Sequence, residues 1–332
     1  MIDIFAAKTN EVLEQTKNMA LKETSYSEAS IKVLKGLEPV RQRPGMYTRT
    51  ENPLHIITEV IDNASDEAIG GYCKNINVTL NADGSVSVED DGRGIPVGMH
   101  PEEKVPTVEI VFTRLHSGGK FTKGGDNAYA FSGGLHGVGV SVTNALSKRI
   151  EVTVWREKEV HQIAFTDGEV TEPLTSRPIA RGKKKSGTKV TVWPDARYFD
   201  SMTIPLTELR HLLRSKAILL PGVHVDLQNE KTNETETWHY ENGLRGYLSQ
   251  ELELTTGEEI VIPLFEGELY ADHDNEGFAS GEGAAWVVAW TTEGPLIRES
   301  FVNLIPTTAG GTHESGKRTS AEAHQPDVSP EC

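Results

Sequence analysis

Residues 59–67 read EVIDNASDE, and this stretch determines how the rest of the sequence is interpreted. It lies within a segment, residues 53–70, whose apolar and polar residues separate onto opposite sides of a helical wheel, which predicts one amphipathic helix. The apolar side carries Leu54, Ile57, Ile61, Ala64 and Ala68, and the polar side carries Glu59, Asp62, Asn63, Asp66 and Glu67. Taken alone, the pattern favours a helix with a solvated acidic face.

Three of the polar residues support a second, chemical interpretation. Glu59, Asn63 and Glu67 recur every four residues, so their side chains rise along one line of the helix. A carboxylate can take a proton from a water molecule, and an amide oxygen one turn away can hold a hard cation such as Mg²⁺. The helix is therefore also a candidate for a hydrolytic site that uses Mg²⁺.

A second motif, DDGRGIP at residues 90–96, follows a predicted hairpin. Its strands, 75–80 and 85–88, flank the turn Asn81-Ala82-Asp83-Gly84. An aspartate at a strand end, followed by glycines, lets a flat ring approach the backbone while its carboxylate accepts a hydrogen bond from an exocyclic amine. The same residues are also common in ordinary turns.

Two glycine-containing segments complete the set. SGGLHGVG at residues 132–139 leads into a predicted helix, where glycines allow close packing and N–H groups attract phosphate. It is neither GxxxxGK[ST] nor a clean GxGxxG, so alone it is a weak signal. SGT at residues 186–188 enters a predicted strand, where a hydroxyl either reaches a nucleotide or caps the turn. The order of all four motifs is more informative than any one of them.

Together these motifs resemble the nucleotide site of the GHKL ATPases, the superfamily that includes gyrase and the histidine kinases. Four longer strings resemble bacterial type II DNA topoisomerase B subunits more specifically, over residues 26–316. They are KVLKGLEPVRQRPGMY at 32–47, VIDNASDEA at 60–68, LHSGGKF at 115–121 and GGTHESG at 310–316. A sensor kinase would need a phospho-accepting histidine helix, and a chaperone would lack the RQRPGMY and GGTH strings.

The resemblance implies an α+β fold: a GHKL (Bergerat) sandwich with a mixed, mostly antiparallel sheet, followed by a partial transducer domain of the ribosomal S5 domain 2-like type. We predict an N-terminal arm at 1–25, the ATPase domain at 26–235, the partial transducer at 236–316 and a disordered tail at 317–332. A polar linker is expected at 233–242, and strands at 284–290 and 300–305.

The resemblance also implies residue roles, with ATP and Mg²⁺ as cofactors. Glu59 is the expected general base, Asn63 the Mg²⁺ ligand, and Asp90 the acceptor for the adenine amine, with Thr188 sharing an ordered water. Arg93 is expected to pair with Glu67 and cover the base, and Arg156 to lie at the pocket mouth. The remaining expected nucleotide-binding residues are Gly94, Ile95 and Pro96 after Asp90, and Lys120, Gly134, Leu135, His136, Gly137, Val138, Gly139 and Val140 in a lid. Tyr26 and Ile31 are expected on an arm that crosses to a second copy.

Composition sets limits on function. The chain has 332 residues, which suggests two domains, and 33 Lys plus Arg against 49 Asp plus Glu give a net charge of −16. That charge argues against strong DNA binding by this segment alone, although Lys183-Lys184-Lys185 is a local basic patch.

Cys73 and Cys332 form no disulfide or metal pattern. With no signal peptide and no long apolar run, we expect a cytoplasmic protein without a membrane segment.

In the complete enzyme, ATP-driven dimerisation would drive passage of duplex DNA together with a tyrosine-bearing A-type subunit. Two questions stay open: whether the chain hydrolyses ATP or only binds it, and whether it is of the topoisomerase IV or the gyrase type. The family's phosphate-contacting lysine lies in a QTK loop beyond the matched region, and Gln15-Thr16-Lys17 is far from that position, so the chain is expected to bind ATP with weak hydrolysis or none. The segment 49–54 is short, which favours topoisomerase IV over gyrase.

Overall fold

The computed structural model describes residues 33–117, 137–180, 186–256, 262–271, 282–291, 296–307 and 310–311. The chain forms two compact units, Met1–Lys35 and Gly36–Cys332. Only residues 33–35 of the first unit are described, so everything below concerns the second. The predicted arm at 1–25 and tail at 317–332 lie outside the described residues, and the domain boundary at 235–236 stays a prediction.

The chain enters the second unit through a short helix, α1 (Glu38–Gln42), and a 3-10 turn, Pro44–Met46. The predicted amphipathic helix then forms as α2 (Leu54–Ile69), where the side chain of Asn52 accepts a hydrogen bond from the Leu54 N–H at 2.9 Å. On its predicted apolar side Leu54, Ile57, Ile61 and Ala64 are buried and Ala68 is half-buried. The expectation of a solvated acidic face is wrong for Asp66, which is 2% exposed, and for Asp62, whose side chain is 14% exposed.

One eight-stranded sheet organises the unit. Its strands are β1 (Asn75–Leu80), β2 (Val86–Asp90), β3 (Ser147–Arg156), β4 (Glu159–Thr166), β5 (Glu169–Pro178), β6 (Gly187–Pro194), β7 (His224–Asn229) and β8 (Glu234–Trp238). The order is β5-β4-β3-β6-β2-β1-β7-β8, and each neighbouring pair is antiparallel except β1 with β7. The predicted mixed, mostly antiparallel sheet is therefore confirmed.

Helices cover this sheet. Besides α2 they are α3 (Thr107–Thr113), α4 (Gly139–Ala145) and α5 (Leu206–Leu219). Along β3 and β7 buried residues alternate with exposed or half-buried ones, so the strands bury one face under the helices. The helices and that face share a continuous core, which includes Ile56, Ile61, Phe112, Phe165 and Leu213. The predicted α+β sandwich is thus the observed architecture.

Two edge strands differ from the sequence-based expectation. β5 was not predicted, because most of its residues are polar and exposed. The expected polar linker at 233–242 is wrong: Glu234–Trp238 forms β8, which pairs with β7 from Val225↔Trp238 to Asn229↔Glu234. An edge strand pairs on one side only and exposes many of its side chains, so it needs few apolar residues and its composition resembles that of a linker.

The sheet is followed by α6 (Gly243–Thr256), then β9 (Phe265–Tyr270) paired with β10 (Gly283–Val288). The predicted strand at 284–290 is thereby confirmed. The predicted strand at 300–305 is instead a small hairpin of β11 (Phe301–Val302) and β12 (Ile305–Pro306), whose turn residues Asn303 and Leu304 both have positive φ. Within the described residues, no helix is long and apolar enough to span a bilayer.

Candidate nucleotide site

Asp90, the last residue of β2, is a buried acid with a raised pKa. It is 8% exposed, and its Oδ1 accepts hydrogen bonds from the N–H groups of Gly92 at 2.9 Å and Thr188 at 3.4 Å. Burial, helped by the negative charge of Glu67, raises the pKa of the Asp90 carboxyl from 3.8 to about 7, against the opposing effect of the Gly92 hydrogen bond. A buried carboxylate held in this way by backbone donors can bind a further donor on a ligand.

The neighbouring Asp91 has a different role. Its carboxylate accepts from the backbone N–H groups of Lys74 at 2.7 Å and Asn75 at 2.9 Å, and from the Asn75 side-chain amide at 2.6 Å. These bonds attach the loop after β2 to the start of β1. Of the two consecutive aspartates, Asp91 is therefore structural and Asp90 is the candidate ligand-binding residue.

The strand β6 runs beside β2, and its first residue, Gly187, lies against the backbone of this loop. An ideal Cβ at Gly187 would lie 1.9 Å from the Asp90 carbonyl oxygen, and the residue has φ +127°. Only glycine allows this close approach. The approach places Thr188 beside the loop, where its Oγ1 accepts a hydrogen bond from the Ile95 N–H at 3.2 Å. Thr188 thus contacts both Asp90 and the GIP segment.

Glu59 lies on the polar side of α2 and faces the start of α4. An ideal Cβ on Gly139 would come 2.1 Å from Glu59 Oε2, so the carboxylate occupies the space that a side chain at 139 would need. Helix α4 is held against α2 by Thr143, whose hydroxyl donates to the Ile56 carbonyl at 2.8 Å. One turn further along α2, Asn63 is half-buried. The Glu59 side chain thus lies next to Gly139, the last glycine of the motif.

Glu67 and Arg93 form the rim of the site. Glu67 accepts from the Arg93 Nη2 at 2.8 Å, from its Nε at 3.1 Å and from its backbone N–H at 3.0 Å. This bidentate pair fixes the edge of the guanidinium group, whose side chain is 37% exposed. The pairing expected between these residues is therefore present.

Arg156, at the end of β3, lies beside the GIP segment. Its Nη1 donates to the Gly94 carbonyl at 2.9 Å, and its Nε contacts Glu157 at 3.2 Å. Pro96 is exposed and Ile95 half-buried. These residues form the outer wall of the same region.

The remaining predicted residues divide into two groups. Gly137 and Val138 are half-buried, and the Val140 side chain is buried in the core, so any contact of Val140 with a ligand would come from its backbone. The Ser117 N–H donates to the Gly137 carbonyl at 3.1 Å, which brings the two ends of the glycine-rich segment together. The predicted residues that lie outside the described part of the chain are Tyr26, Ile31, Lys120, Gly134, Leu135 and His136.

One residue at the site was not found from the sequence. The central carbon of the Arg93 guanidinium lies 3.7 Å from the centre of the Tyr72 ring. The only available signal was an aromatic residue placed directly after the Gly70-Gly71 pair at the end of α2. Tyr72 therefore packs against the side chain expected to cover a base.

The described residues do not build a metal site of their own. No group of three or more His, Cys, Asp or Glu side chains among them is arranged to hold a metal ion. Asn63 offers a single hard oxygen ligand. Mg²⁺ commonly retains water and takes much of its coordination from substrate phosphates, so a single amide ligand is compatible with a cation that arrives with a nucleotide.

Comparison with known families supports this interpretation of the geometry. Residues 49–198 match the family described as "Histidine kinase-, DNA gyrase B-, and HSP90-like ATPase". The matched span contains α2, the loop after Asp90 and the glycine at the start of β6. The site therefore lies within the matching region.

Curated relatives extend the similarity. The chain is 48% identical over 297 residues to the B subunit of DNA topoisomerase 4 from Salmonella typhimurium, a match that covers 89% of this chain and 45% of the relative. It is 47% identical over 297 residues to the Escherichia coli protein of the same name, with the same coverage. The B subunit of DNA gyrase from Helicobacter pylori is 41% identical over 295 residues, 88% of this chain and 36% of the relative. The chain thus spans less than half the length of these relatives.

Two solved structures show the same fold. The topoisomerase IV ATP-binding domain of Francisella tularensis, in complex with a small-molecule inhibitor, is 45% identical with a TM-score of 0.55, over 64% of this chain and 100% of that one. The 43K ATPase domain of Thermus thermophilus gyrase B, in complex with an aminocoumarin, is 33% identical with a TM-score of 0.67, over 90% and 77% of the two chains.

Proposed function

The chain belongs to the ATPase family of type II DNA topoisomerase B subunits, and from this premise we propose that Asp90 binds the base of ATP and that Glu59 drives its hydrolysis. The observation that carries the proposal is the buried Asp90 carboxylate beside Thr188, with the Glu67–Arg93 pair at its rim. Adenine presents one exocyclic amine, which matches one buried acceptor. ATP therefore suits the donors and acceptors of this site.

Glu59 has the position that a general base requires, on the same helix face as Asn63 and against Gly139. Its carboxylate takes a proton from the attacking water as the water oxygen bonds to the γ-phosphorus. The bond from the γ-phosphorus to the bridging oxygen breaks, and ADP leaves with that oxygen. Removing a general base costs about 10²–10⁴ in rate.

Asn63 would hold Mg²⁺ through its amide oxygen, and the bound cation would neutralise phosphate charge. The backbone around Gly137 and Val138 contacts the phosphates at the start of α4, and Lys120 and residues 134–136, which lie outside the described residues, match the family's lid positions. Arg93 covers the base and Arg156 lines the mouth of the pocket. These assignments follow the family motifs at the matching positions.

In the full-length protein, ATP binding joins two copies through the arm that carries Tyr26 and Ile31, and hydrolysis resets them. The complete enzyme passes one DNA duplex through another with a DNA-cleaving A-type subunit, in the cytoplasm. The acidic charge of the present segment, −16, means that its own DNA contact is weak. The short segment at 49–54 favours the topoisomerase IV type over gyrase.

Phosphate release tests the proposal. The parent protein with Mg²⁺ and ATP releases phosphate at a low rate, and Glu59→Gln lowers that rate by a further factor of up to about 10²–10⁴ while a non-hydrolysable ATP analogue still binds. The matched control is Glu102→Gln, the same chemical change at an exposed position. Failure of the parent to bind the analogue would refute the nucleotide site, and full activity of Glu59→Gln would refute the assignment of the base.

A further inference from the structure

Tyr72 follows the two glycines that end α2, and its ring lies over the site's rim. The ring packs on Gly70, where an ideal Cβ would come 2.8 Å from Tyr72 Cδ2. Tyr72 is itself 46% exposed, so the ring is not part of the hydrophobic core. Burial of apolar surface therefore does not explain the position of the ring.

The contact that this geometry creates is with Arg93. The guanidinium carbon lies 3.7 Å from the Tyr72 ring centre, well within the ~6 Å range of cation–π contacts. Glu67 holds the Nε and Nη2 edge of the same group at 3.1 and 2.8 Å. A bidentate bond fixes a planar group along its edge and leaves its tilt about that edge adjustable, whereas a ring packed on its face sets the tilt.

We propose that Tyr72 is a positioning residue for nucleotide recognition, which holds the plane of the Arg93 guanidinium so that the adenine base stacks against it. This inference rests on the proposed function, since it concerns the same pocket. Arginine is planar and presents two faces, and an aromatic ring on one face fixes the orientation offered by the other. Orienting the group before binding lowers the entropy lost when the base is bound.

Tyr72 thus acts in the recognition of the base and not in the chemistry at the phosphates. Glu59 and Asn63 lie two turns and one turn before Glu67 on α2, whereas Tyr72 packs on Arg93 at the rim that Glu67 and Arg93 form. Loss of the ring should therefore raise KM for ATP and leave kcat unchanged. A general disturbance of the helix would lower kcat as well.

The test compares Tyr72→Leu with Tyr72→Phe. Tyr72→Leu keeps an apolar side chain but has no aromatic face, and we expect the Kd of a non-hydrolysable ATP analogue with Mg²⁺ to rise about three- to tenfold. Tyr72→Phe retains the face and restores the affinity to within about twofold of the parent. The matched control is Tyr270→Leu, at an exposed tyrosine on β9. Melting temperatures measured alongside show whether each variant is folded.

A double variant tests the route through arginine. In an Arg93→Gln background, Tyr72→Leu should cause no further loss of affinity, because the residue that the ring positions is absent. Equal losses in both backgrounds would overturn the inference, as would a Tyr72→Leu protein that binds as tightly as the parent. A parent that binds no analogue would instead overturn the proposed function, so the two failures are distinguishable.

Discussion

The ammonium group of Lys216, on α5, lies 2.6 Å from Asp62 Oδ1, on the helix that carries Glu59 and Asn63. The Lys216 side chain is 2% exposed and that of Asp62 14%. The two groups touch, although the ammonium is not aligned as a hydrogen-bond donor to that oxygen. The same ammonium donates to the Leu304 carbonyl at 3.0 Å, in the turn between β11 and β12. One buried lysine therefore connects α2 with the segment after β10.

Replacing Lys216 with methionine should destabilise the protein by about 3–5 kcal/mol, because the Asp62 charge is left buried without its partner. Adding Asp62→Asn should recover part of that loss, since the unpaired charge is removed. The free energy of unfolding from urea titration measures both effects.

The control is Arg210→Met on the same helix, where the Arg210–Glu236 pair at 2.7 Å is substantially exposed. Removing that pair should change the free energy of unfolding by less than about 1 kcal/mol. If Lys216→Met were no more destabilising than Arg210→Met, the buried pair would not contribute as described.

The contact between Lys216 and Asp62 is an example of a feature that the sequence alone does not predict. The helical wheel correctly located the buried face of α2 and the line of Glu59, Asn63 and Glu67. It placed Asp62 on a solvated side because a wheel contains no information about a partner far along the chain. The buried cation that pairs with Asp62 comes from α5, and only the tertiary fold brings the two together.

The strands likewise include some that the sequence predicts and some that it does not. β1, β2 and β6 were predictable because β-branched residues alternate between well-marked turns, and the motifs fixed their ends. The edge strands β5 and β8 are not predictable from the sequence, because they are held by pairing with a neighbouring strand and not by burial of their own side chains. Tyr72 was missed for a related reason: its significance depends on Arg93, a contact that no local pattern encodes.

Gly139→Ala should give a folded protein that hydrolyses ATP slowly. The new methyl group would stand 2.1 Å from Glu59 Oε2, so the flexible end of the carboxylate must move while the helix backbone stays in place. Alanine is also favourable in a helix. We expect kcat to fall by about 10²-fold, a typical effect of displacing a catalytic group by ~1 Å.

The control for this substitution is Gly246→Ala in α6, where the nearest atoms to an added Cβ are 3.7 and 3.8 Å away. That variant should retain the parent's kcat and stability. Phosphate release and thermal melting of both variants check the prediction, and a Gly139→Ala protein with unaltered kcat would show that Glu59 tolerates the displacement.

Gly187→Ala should destabilise the folded protein as a whole and not only weaken one contact of the site. Its Cβ would meet the backbone oxygen of Asp90 at 1.9 Å, and at φ +127° an L-residue is strained even without that clash. A backbone atom cannot move aside as a side-chain end can, so β2 and β6 would have to separate locally. We expect a loss of roughly 3 kcal/mol or more in the free energy of unfolding, measured by urea titration beside Gly45→Ala, where an added Cβ meets nothing within 4 Å.

Nucleotide binding should weaken as the pH falls below about 7. The ionised Asp90 carboxylate accepts the hydrogen bond from the adenine amine more strongly than the neutral acid does, and in the unliganded protein burial raises its pKa to about 7. Binding therefore releases a proton, and the Kd should rise about tenfold per pH unit below that value. Calorimetric titrations at pH 6, 7 and 8, with Mg²⁺ in excess and buffers of different ionisation enthalpy, measure both quantities. An equal Kd at pH 6 and 8, without proton release, would contradict the prediction.

Asp90→Asn should abolish tight nucleotide binding and yet stabilise the protein above neutral pH. Because the folded-state pKa of Asp90 is raised, its contribution to stability is fully present below the unfolded value of 3.8 and is lost as the pH rises through about 7. Asparagine keeps an oxygen for the N–H groups of Gly92 and Thr188 and carries no charge. The stability difference between parent and variant should therefore change by ~2–3 kcal/mol between pH 5 and pH 8, in favour of the variant at pH 8. Urea titrations of both proteins at the two pH values measure this, since every other titrating group is shared. A difference that stays constant with pH would mean that Asp90 is already ionised at pH 5 in the folded protein, and that the site binds its ligand without the cost of charging a buried acid.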